Sequence, residues 1–352
     1  MNNYIYLRGL RHAEHTVFCV QEGQKYYYDQ QFGVRCAYSS GQQVKRSILD
    51  SILESLNEAQ APITFNYELT KDGISNKEPW SPCDPSYTDQ LIGGWMKAQT
   101  GETSVKRRSP FSISALRPLH PLLGGLEYQK ENLTFDRSNN PNLHPVIVKD
   151  TTGAILTEKE ITEFLTKNKR TLPRRNWIPD NTRASGLFVY DVVIDLRTLF
   201  SISTNLHEPE LTSDKIEKLK ANGWIISKNS FGECLVCPKE RREKIIEAIA
   251  SGLINWRITS NQSRTFSLME TLAVAISNNA NKLAASIRSE LNEERESSAK
   301  PVIDKNSGAD IYVTLPCNGY IAGAGGELDA LENAESRLKE LMQAFDYENQ
   351  II

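Results

Sequence analysis

Residues 186–200, GLFVYDVVIDLRTLF, are the clearest strand in the sequence. The stretch is rich in β-branched and aromatic residues, which are the types that strands favour. Asp191 and Asp195 lie four positions apart in it, so their side chains project from the same face of a strand. They are either a carboxylate pair able to do acid–base chemistry or two acids at a strand edge, and we favour the second interpretation.

The elements on either side of this strand predict the order of the fold. Residues 3–20 predict a strand, and Val44 begins an apolar helical face that Ser39, Ser40 or Gly41 caps. Further predictions are strands at 63–69, 111–117, 223–228 and 232–237, a loop at 72–87, helices at 211–221, 238–252 and 278–300, a loop leading into a strand at 255–277, and a helix in the acidic tail after residue 326. The order strand, helix, strand, long insertion, strand, helix, strand predicts an α+β fold with a ferredoxin-like or RRM-type core.

Composition excludes several classes of protein. The formal net charge of −3 over 352 residues rules out a wholly basic surface but allows a local basic groove. No apolar run approaches the length of a membrane span, and the N-terminal residues lack the apolar core of a signal peptide. The six cysteines are scattered, which is typical of a reduced protein. We therefore expect a cytoplasmic protein without a membrane partner.

Motifs for catalysis and metal binding are weak. The sequence has no nucleophile elbow, phosphate-binding loop, dinucleotide-binding glycine pattern with its acid, or zinc-protease motif. Cys234 and Cys237 lack a second pair of zinc ligands, and strand alternation would put them on opposite faces, so we predict two structural cysteines. His12 and His15 flank Glu14, and polar groups beside a groove are favoured over a metal site. No metal and no cofactor is expected.

Basic residues recur in clusters, at 45–46, 106–108, 262–264 and 167–183. Most exposed cations are only solvated. Lys45 and Arg46, however, fall at the predicted start of a helix, where the macrodipole disfavours positive charge. A phosphate held there by the two side chains and the backbone N–H groups would account for them. Local physics leaves the solvated pair and the phosphate site both open.

Four stretches, in order, resemble the backbone subunits of Cascade-type CRISPR complexes, Cas family seven with its DevR-like branch, of the RAMP superfamily. They are RGLRHAEHTVF (8–18), SSGQQVKRSIL (39–49), DQLIGGWMKAQTGETSVKRRSPFSISALRPLHP (89–121) and TSNQSRTFSLMETLAVAI (259–276). They resemble, in turn, the family's first strand and turn, the Gln and Lys-Arg signature of its first helix, its Asp-x-x-x-Gly segment, and its Gln-x-Arg segment before a late core strand.

The resemblance implies an RRM-like palm with inserted finger and thumb elements. The palm would take residues 1–60, 89–118 and 186–325, the finger 61–88, and the thumb part of the basic insertion 119–185, with an acidic C-terminal helix at 326–352. Such a subunit polymerises along crRNA, binds the phosphate backbone whatever its sequence, and presents the guide for pairing with target DNA. Implied partners are crRNA, target DNA through the guide, further copies of the chain, and other Cascade subunits.

The basic clusters and the resemblance together predict the RNA-binding residues. They are Lys45, Arg46, Gln42, Gln43, Arg11, His15, Lys106, Arg107, Arg108, Gln262, Ser263, Arg264, Arg174 and Arg175.

Two alternatives to a non-catalytic RNA-binding subunit remain. The RNA-targeting branch of the family carries an aspartate in the loop after the first strand that cleaves target RNA with a divalent metal, and this sequence offers Glu22 and Asp29 there. The loop lacks a clear match to that branch, so the non-catalytic interpretation is favoured. The second alternative is a protein-interaction scaffold that binds no RNA.

Overall fold

The computed structural model describes residues 2–18, 24–70, 73–97, 104–132, 146–172, 177–258 and 267–351. The helices are α1 Gly41–Leu56, α2 Thr88–Gly93, α3 Glu158–Lys167, α4 Leu196–Leu199, α5 Ser213–Ala221, α6 Lys239–Asn255, α7 Ala280–Ser286 and α8 Ala330–Gln343, with a 3₁₀ helix at Leu315–Gly319. Helices and sheets segregate along the chain as the α+β prediction requires, and that prediction is confirmed. Within the described ranges, every helix is too short or too polar to cross a bilayer.

The strands form one large sheet and several small ones. Those of the large sheet are β1 Tyr4–Thr16, β8 Phe111–Ile113, β9 Arg117–Pro118, β10 Gly124–Asn132, β11 Trp177–Asp195, β15 Thr271–Ser277 and β18 Asp310–Val313. Those of the small sheets are β2 Tyr26–Asp29 with β3 Val34–Ala37, β4 Thr64–Thr70 with β5 Gly73–Trp80, β6 Trp95–Lys97 with β7 Val105–Arg107, β12 Ser201–Ser203 and β13 Ile225–Asn229 with β14 Gly232–Val236, and β16 Ile287–Asn292 with β17 Arg295–Ile303.

Strand β11 organises the large sheet. Its full length runs antiparallel to neighbours, with β1 on one side and β8, β9 and β10 in succession on the other. The sheet continues from β1 through β15 to β18, again antiparallel. The strand predicted at 186–200 is confirmed, but it begins nine residues earlier because its first half pairs with β10 in a long hairpin.

The order of β1, α1, β8, β11, α6 and β15 sets what lies on each face. Helices α1 and α6 pack together on one face, over side chains such as Leu7 of β1 and Phe188 and Tyr190 of β11, all of which are fully buried. The opposite face is covered by a smaller apolar cluster in which Leu10 and Val189 meet residues of α7, β16 and the 3₁₀ helix. Apolar burial on both faces therefore stabilises the central strands.

The contact between α1 and α6 depends on a glycine. A Cβ built on Gly252 would lie 2.5 Å from Cγ1 of Ile52 and 3.3 Å from its backbone nitrogen. The sequence prediction that Gly252 ends the helix is wrong, because α6 continues to Asn255. This glycine instead lets the two helix backbones approach closely.

Two predicted elements differ from the structure for the same reason. The helix expected at 278–300 stops at Ser286, and β16 and β17 follow as a hairpin. Arg288 and Glu290 pair with each other two positions apart, and Lys300 lies 3.5 Å from Glu290 across the strands. Alternation along a strand thus organises these charges, where we expected a helical spacing.

The loop expected at 72–87 likewise contains a strand. Strand β5 pairs with β4, so that Ile74 lies opposite Leu69 and Lys77 forms a 2.8 Å ion pair with Glu68. The insertion 119–185 also holds more regular structure than its composition predicts, namely β9, β10, α3 and the first part of β11. Helix α3 starts with a capping box formed by Thr157 and Glu160. The finger, thumb and palm boundaries stay predictions.

Candidate nucleic-acid interface

The N-terminus of α1 is built by local sequence. The Ser40 side chain accepts a hydrogen bond from the Gln43 backbone N–H at 3.3 Å, as the capping prediction requires. Gly41 follows because a Cβ there would lie 2.8 Å from the carbonyl oxygen of Ile113 at the end of β8. The start of α1 is therefore fixed against the sheet, with Gln42 exposed and Gln43 half-buried beside it.

Lys45 and Arg46 diverge from this helix end. Consecutive residues of a helix are separated by about 100° around its axis, so the two side chains leave on different faces. The Lys45 Nζ donates to the carbonyl oxygen of Gly93, the last residue of α2, at 3.0 Å. Burial, and then the nearby charge of Arg107, lower the pKa of Lys45. Lys45 thus joins α1 to α2, while Arg46 remains on the solvent side.

Arg46 faces a groove between α1 and the C-terminal end of α6. The groove encloses about 810 Å³, and its lining residues are Gln43, Arg46, Ser47, Asp50, Ser51, Glu54, Ser55, Ser251, Asn255 and Arg257. An Nη of Arg46 lies 2.8 Å from a carboxylate oxygen of Asp50, and the Arg46 side chain is 41% exposed. Two arginines, amides and hydroxyls therefore face one polar cavity, with two acids as counter-charges.

Arg11, which the sequence predicts to bind RNA, is instead buried beneath this groove. Its side chain donates to the carbonyl oxygens of Ile254 at 2.8 Å and Trp256 at 2.7 Å, at the end of α6. The guanidinium also lies 4.2 Å from the centre of the Trp256 ring and 5.5 Å from that of Tyr190. Burial lowers the pKa of Arg11. Its donors satisfy carbonyls that the helix end leaves unpaired, so Arg11 positions the residues that follow α6.

The cluster 106–108 is divided by strand alternation. Arg107 is only 3% exposed and donates to the carbonyl oxygens of Leu91 and Thr198, the latter at 2.7 Å. Burial lowers its pKa to about 10, and Glu210 opposes that shift. Lys106 and Arg108 point outward and are exposed. Arg107 is therefore part of the interior, and its two neighbours are the surface cations of this cluster.

The other predicted residues are scattered or undescribed. His15 is exposed, has a φ of 44°, and its backbone N–H donates to the Ser185 hydroxyl at 2.9 Å, where the register of β1 with β11 shifts. His12 stacks on Tyr320 with ring centres 4.1 Å apart. The remaining predicted residues lie outside the described residues; they are Gln262, Ser263, Arg264, Arg174 and Arg175.

The residues proposed for catalysis or metal binding have structural partners. The Asp29 carboxylate accepts a hydrogen bond from the Phe32 N–H at 2.9 Å, in the turn between β2 and β3. Glu22 lies outside the described residues. Across the described ranges, no group of three or more histidine, cysteine, aspartate or glutamate side chains is arranged to hold a metal.

Other paired motifs are also explained by packing. Cys234 and Cys237 are buried in the core, and burial raises the pKa values of their thiols to about 11 and about 12. Asp191 forms ion pairs with Arg8 and Arg117, so it is no member of a carboxylate pair with Asp195. Asp195 accepts from the Arg197 N–H at the start of α4.

Arg257 is the residue of the groove that sequence reasoning missed. It lies directly after the helix end that Arg11 holds, five residues before the predicted cluster 262–264. A signal was present, since the stretch NWRITSNQSR carries two arginines among small polar residues. The pairing of Arg257 with Arg46 across two helices is a tertiary feature, so spacing along the chain does not reveal it.

Comparison with known proteins gives two similar solved structures. One, described as "CRISPR RNA-guided surveillance complex, pre-nicking", aligns with 96% of this chain and 89% of its own, at 9% identity and a TM-score of 0.44. The other, a "CRISPR RNA-guided surveillance complex", aligns with 96% and 84%, at 10% identity and a TM-score of 0.38. Both scores are below 0.5, so we draw neither fold nor function from them. No family model matches the sequence, and no curated protein matches it.

Proposed function

We propose that this chain is a backbone subunit of a type I-like CRISPR surveillance complex, one that binds the phosphates of crRNA whatever their sequence. The observation that carries the proposal is the groove in which Arg46 and Arg257 face one polar cavity beside the N-terminal half of α1. The succession of β1, α1, β8, β11, α6 and β15, with sheet order β15, β1, β11, β8, supports an RRM-like palm. The four sequence stretches support the family.

The chemistry of the groove fits phosphate groups. The ion pair of Arg46 with Asp50 is solvent-exposed, so it contributes little to stability and exchanges readily for another anion. A phosphate oxygen accepts strong hydrogen bonds from a guanidinium, and serine hydroxyls and the amides of Gln43 and Asn255 complete its shell. Such contacts carry no base information, as a guide-holding subunit requires.

The rest of the assignment follows from that role. The subunit binds crRNA without catalysis or cofactor, in the cytoplasm, and repeats along the guide as a filament with other Cascade subunits. Target DNA pairs with the guide, so sequence specificity belongs to base pairing. Acidic surface, such as that of α8, would meet basic surface of neighbouring subunits.

Purification tests the proposal first. The full chain, expressed with its CRISPR array and partner subunits, should co-purify with small RNA of defined length and absorb strongly at 260 nm. A protein that purifies without nucleic acid from such cells contradicts the assignment and favours a scaffold.

Variants test the groove itself. Arg46→Ala and Arg257→Ala should each weaken binding of single-stranded RNA equally for all sequences. Each should also reduce the slope of log affinity against log salt by about 0.7, the value for one phosphate contact on a single strand. Arg288→Ala is the matched control, because Arg288 is a half-exposed arginine paired with an acid on the β16–β17 hairpin. Equal salt slopes in all three variants would exclude the groove.

A further inference from the structure

The hairpin of β2 and β3 exposes aromatic side chains that the groove does not use. Tyr26 is 47% exposed and Tyr28 is 60% exposed. Both lie on one face of the hairpin, together with Arg35, which is directly opposite Tyr28 in the register. The Arg35 guanidinium lies 5.0 Å from the centre of the Tyr26 ring. We call these three side chains the tyrosine face.

Tyr27, between the two, shows what a packed tyrosine looks like here. It points to the other face, where its ring lies 6.0 Å from that of Tyr38 in an edge-on contact. Burial and the neighbouring Cys36 raise the pKa of Tyr27 to about 12. The hairpin is therefore anchored to the body through Tyr27 and the buried Cys36, while the tyrosine face remains open to solvent.

The surroundings of the tyrosine face are cationic. Lys25 and Arg35 are exposed, and Arg117 is near enough to Tyr27 to lower its pKa, against the single nearby acid Asp29 among the described residues. A cavity of about 630 Å³ adjoins Arg35 and is lined by Pro121, Leu122 and the open backbone of Gly124 and Gly125, among others. Aromatic rings beside cations are the combination that binds unpaired bases by stacking and their backbone by charge.

A protein-docking face would have a different character, and the chain provides an example. The hairpin of β4 and β5 exposes Phe65, Leu69 and Ile74, which are apolar and without a polar tip. The tyrosine face instead combines phenol rings with a guanidinium, which favours a wet, charged ligand with flat rings. The composition thus favours nucleobases over a partner protein.

The tyrosine face is continuous with the candidate RNA-binding end of α1. Strand β3 ends at Ala37, three residues before the cap Ser40. A strand of RNA whose phosphates contact the α1 end therefore has its neighbouring nucleotides within reach of the hairpin. We propose that Tyr26 and Tyr28, with Arg35, form a stacking platform for unpaired bases of single-stranded RNA. This inference rests on the proposed function and adds to it a site for bases.

The test compares two RNAs of equal charge. One is a 12-nucleotide single strand containing 2-aminopurine, and the other has the same length with abasic sugars. The wild-type chain should bind the base-bearing RNA at least tenfold more tightly and quench the 2-aminopurine fluorescence. The double variant Tyr26→Ala, Tyr28→Ala should bind both RNAs equally, while its salt dependence stays that of the wild type because the phosphate contacts are retained.

Matched variants keep the result interpretable. Tyr26→Phe with Tyr28→Phe retains the rings and should retain the preference, which separates stacking from hairpin folding. Tyr67→Ala, at a tyrosine that is 61% exposed on the β4–β5 hairpin, should leave both affinities unchanged. A folded double alanine variant that keeps the preference and the quenching overturns the platform, as does one that changes only self-association. A wild-type chain that binds neither RNA refutes RNA binding itself, so the two failures are distinguishable.

Discussion

Replacing Arg11 separates its structural role from direct RNA contact. The Arg11→Met variant keeps the aliphatic stem, which packs between Trp256 and Tyr190, and removes the guanidinium. Two buried carbonyl oxygens, of Ile254 and Trp256, then lose their donors. We expect a less stable chain with a loosened end of α6.

The size of the effect follows from those contacts. A hydrogen bond from a charged group contributes about 1.5–3 kcal/mol, and a desolvated cation over an aromatic ring contributes about 2 kcal/mol. Burial of the guanidinium opposes these gains, as its lowered pKa indicates. We expect the free energy of unfolding to fall by about 2–4 kcal/mol, which is a large share of the ~5–15 kcal/mol typical of folded proteins.

Urea unfolding of the purified chain measures this change, and RNA binding is measured at a temperature where the variant is folded. Arg11→Lys keeps the charge but lacks the two-pronged donor geometry, so it should recover only part of the stability. The reasoning is refuted if Arg11→Met unfolds like the wild type yet binds RNA tenfold more weakly, since Arg11 would then contact RNA directly.

Three further predictions follow from packing and charge. Gly252→Val should lower the free energy of unfolding by about 1–3 kcal/mol in urea titrations, because the added side chain meets Ile52; a gain in stability would contradict the close approach of α1 and α6. Cys234 and Cys237 should resist a thiol reagent at pH 8 in the native chain and react on unfolding, since their buried thiols have pKa values of about 11 and about 12; rapid native labelling, identified by peptide mapping, would oppose this. The assembled complex with complementary RNA and Mg²⁺ should leave that RNA intact, because the Asp29 carboxylate is engaged in a turn; regular cuts that Asp29→Ala abolishes would establish the ribonuclease alternative.

The sequence predicts elements whose pattern is local. The apolar spacing of α1 and its Ser40 cap appear in the structure as expected, and so does the strand at 186–200. Alternating charge in β16 and β17 was harder, since Arg288, Glu290 and Lys300 acquire a strand pattern only when paired across the hairpin. Periodicity within one segment does not contain its partner.

The candidate site is less predictable than the fold. Lys45 and Arg46 are neighbours in sequence, yet one contacts α2 and the other the groove. Arg11 and Arg107 have the composition of surface cations, but tertiary packing turns them onto carbonyl oxygens of the interior. Arg257 reaches Arg46 only because α1 and α6 pack closely at Gly252. Side-chain direction, which chain spacing leaves open, decides each case.

The hairpin of β10 and β11 gives engineers a natural place to modify this chain. Its described pairing ends at Asn132 opposite Trp177, so the segment between them leaves and rejoins the sheet at adjacent positions. Closing a longer loop across fixed ends costs only about 0.6 kcal/mol for each doubling of its length. A fluorescent protein, a purification tag or a shortened linker inserted there should leave the sheet's folding energy almost unchanged. The hairpin is thus a graft site whose cargo can be exchanged independently of the core.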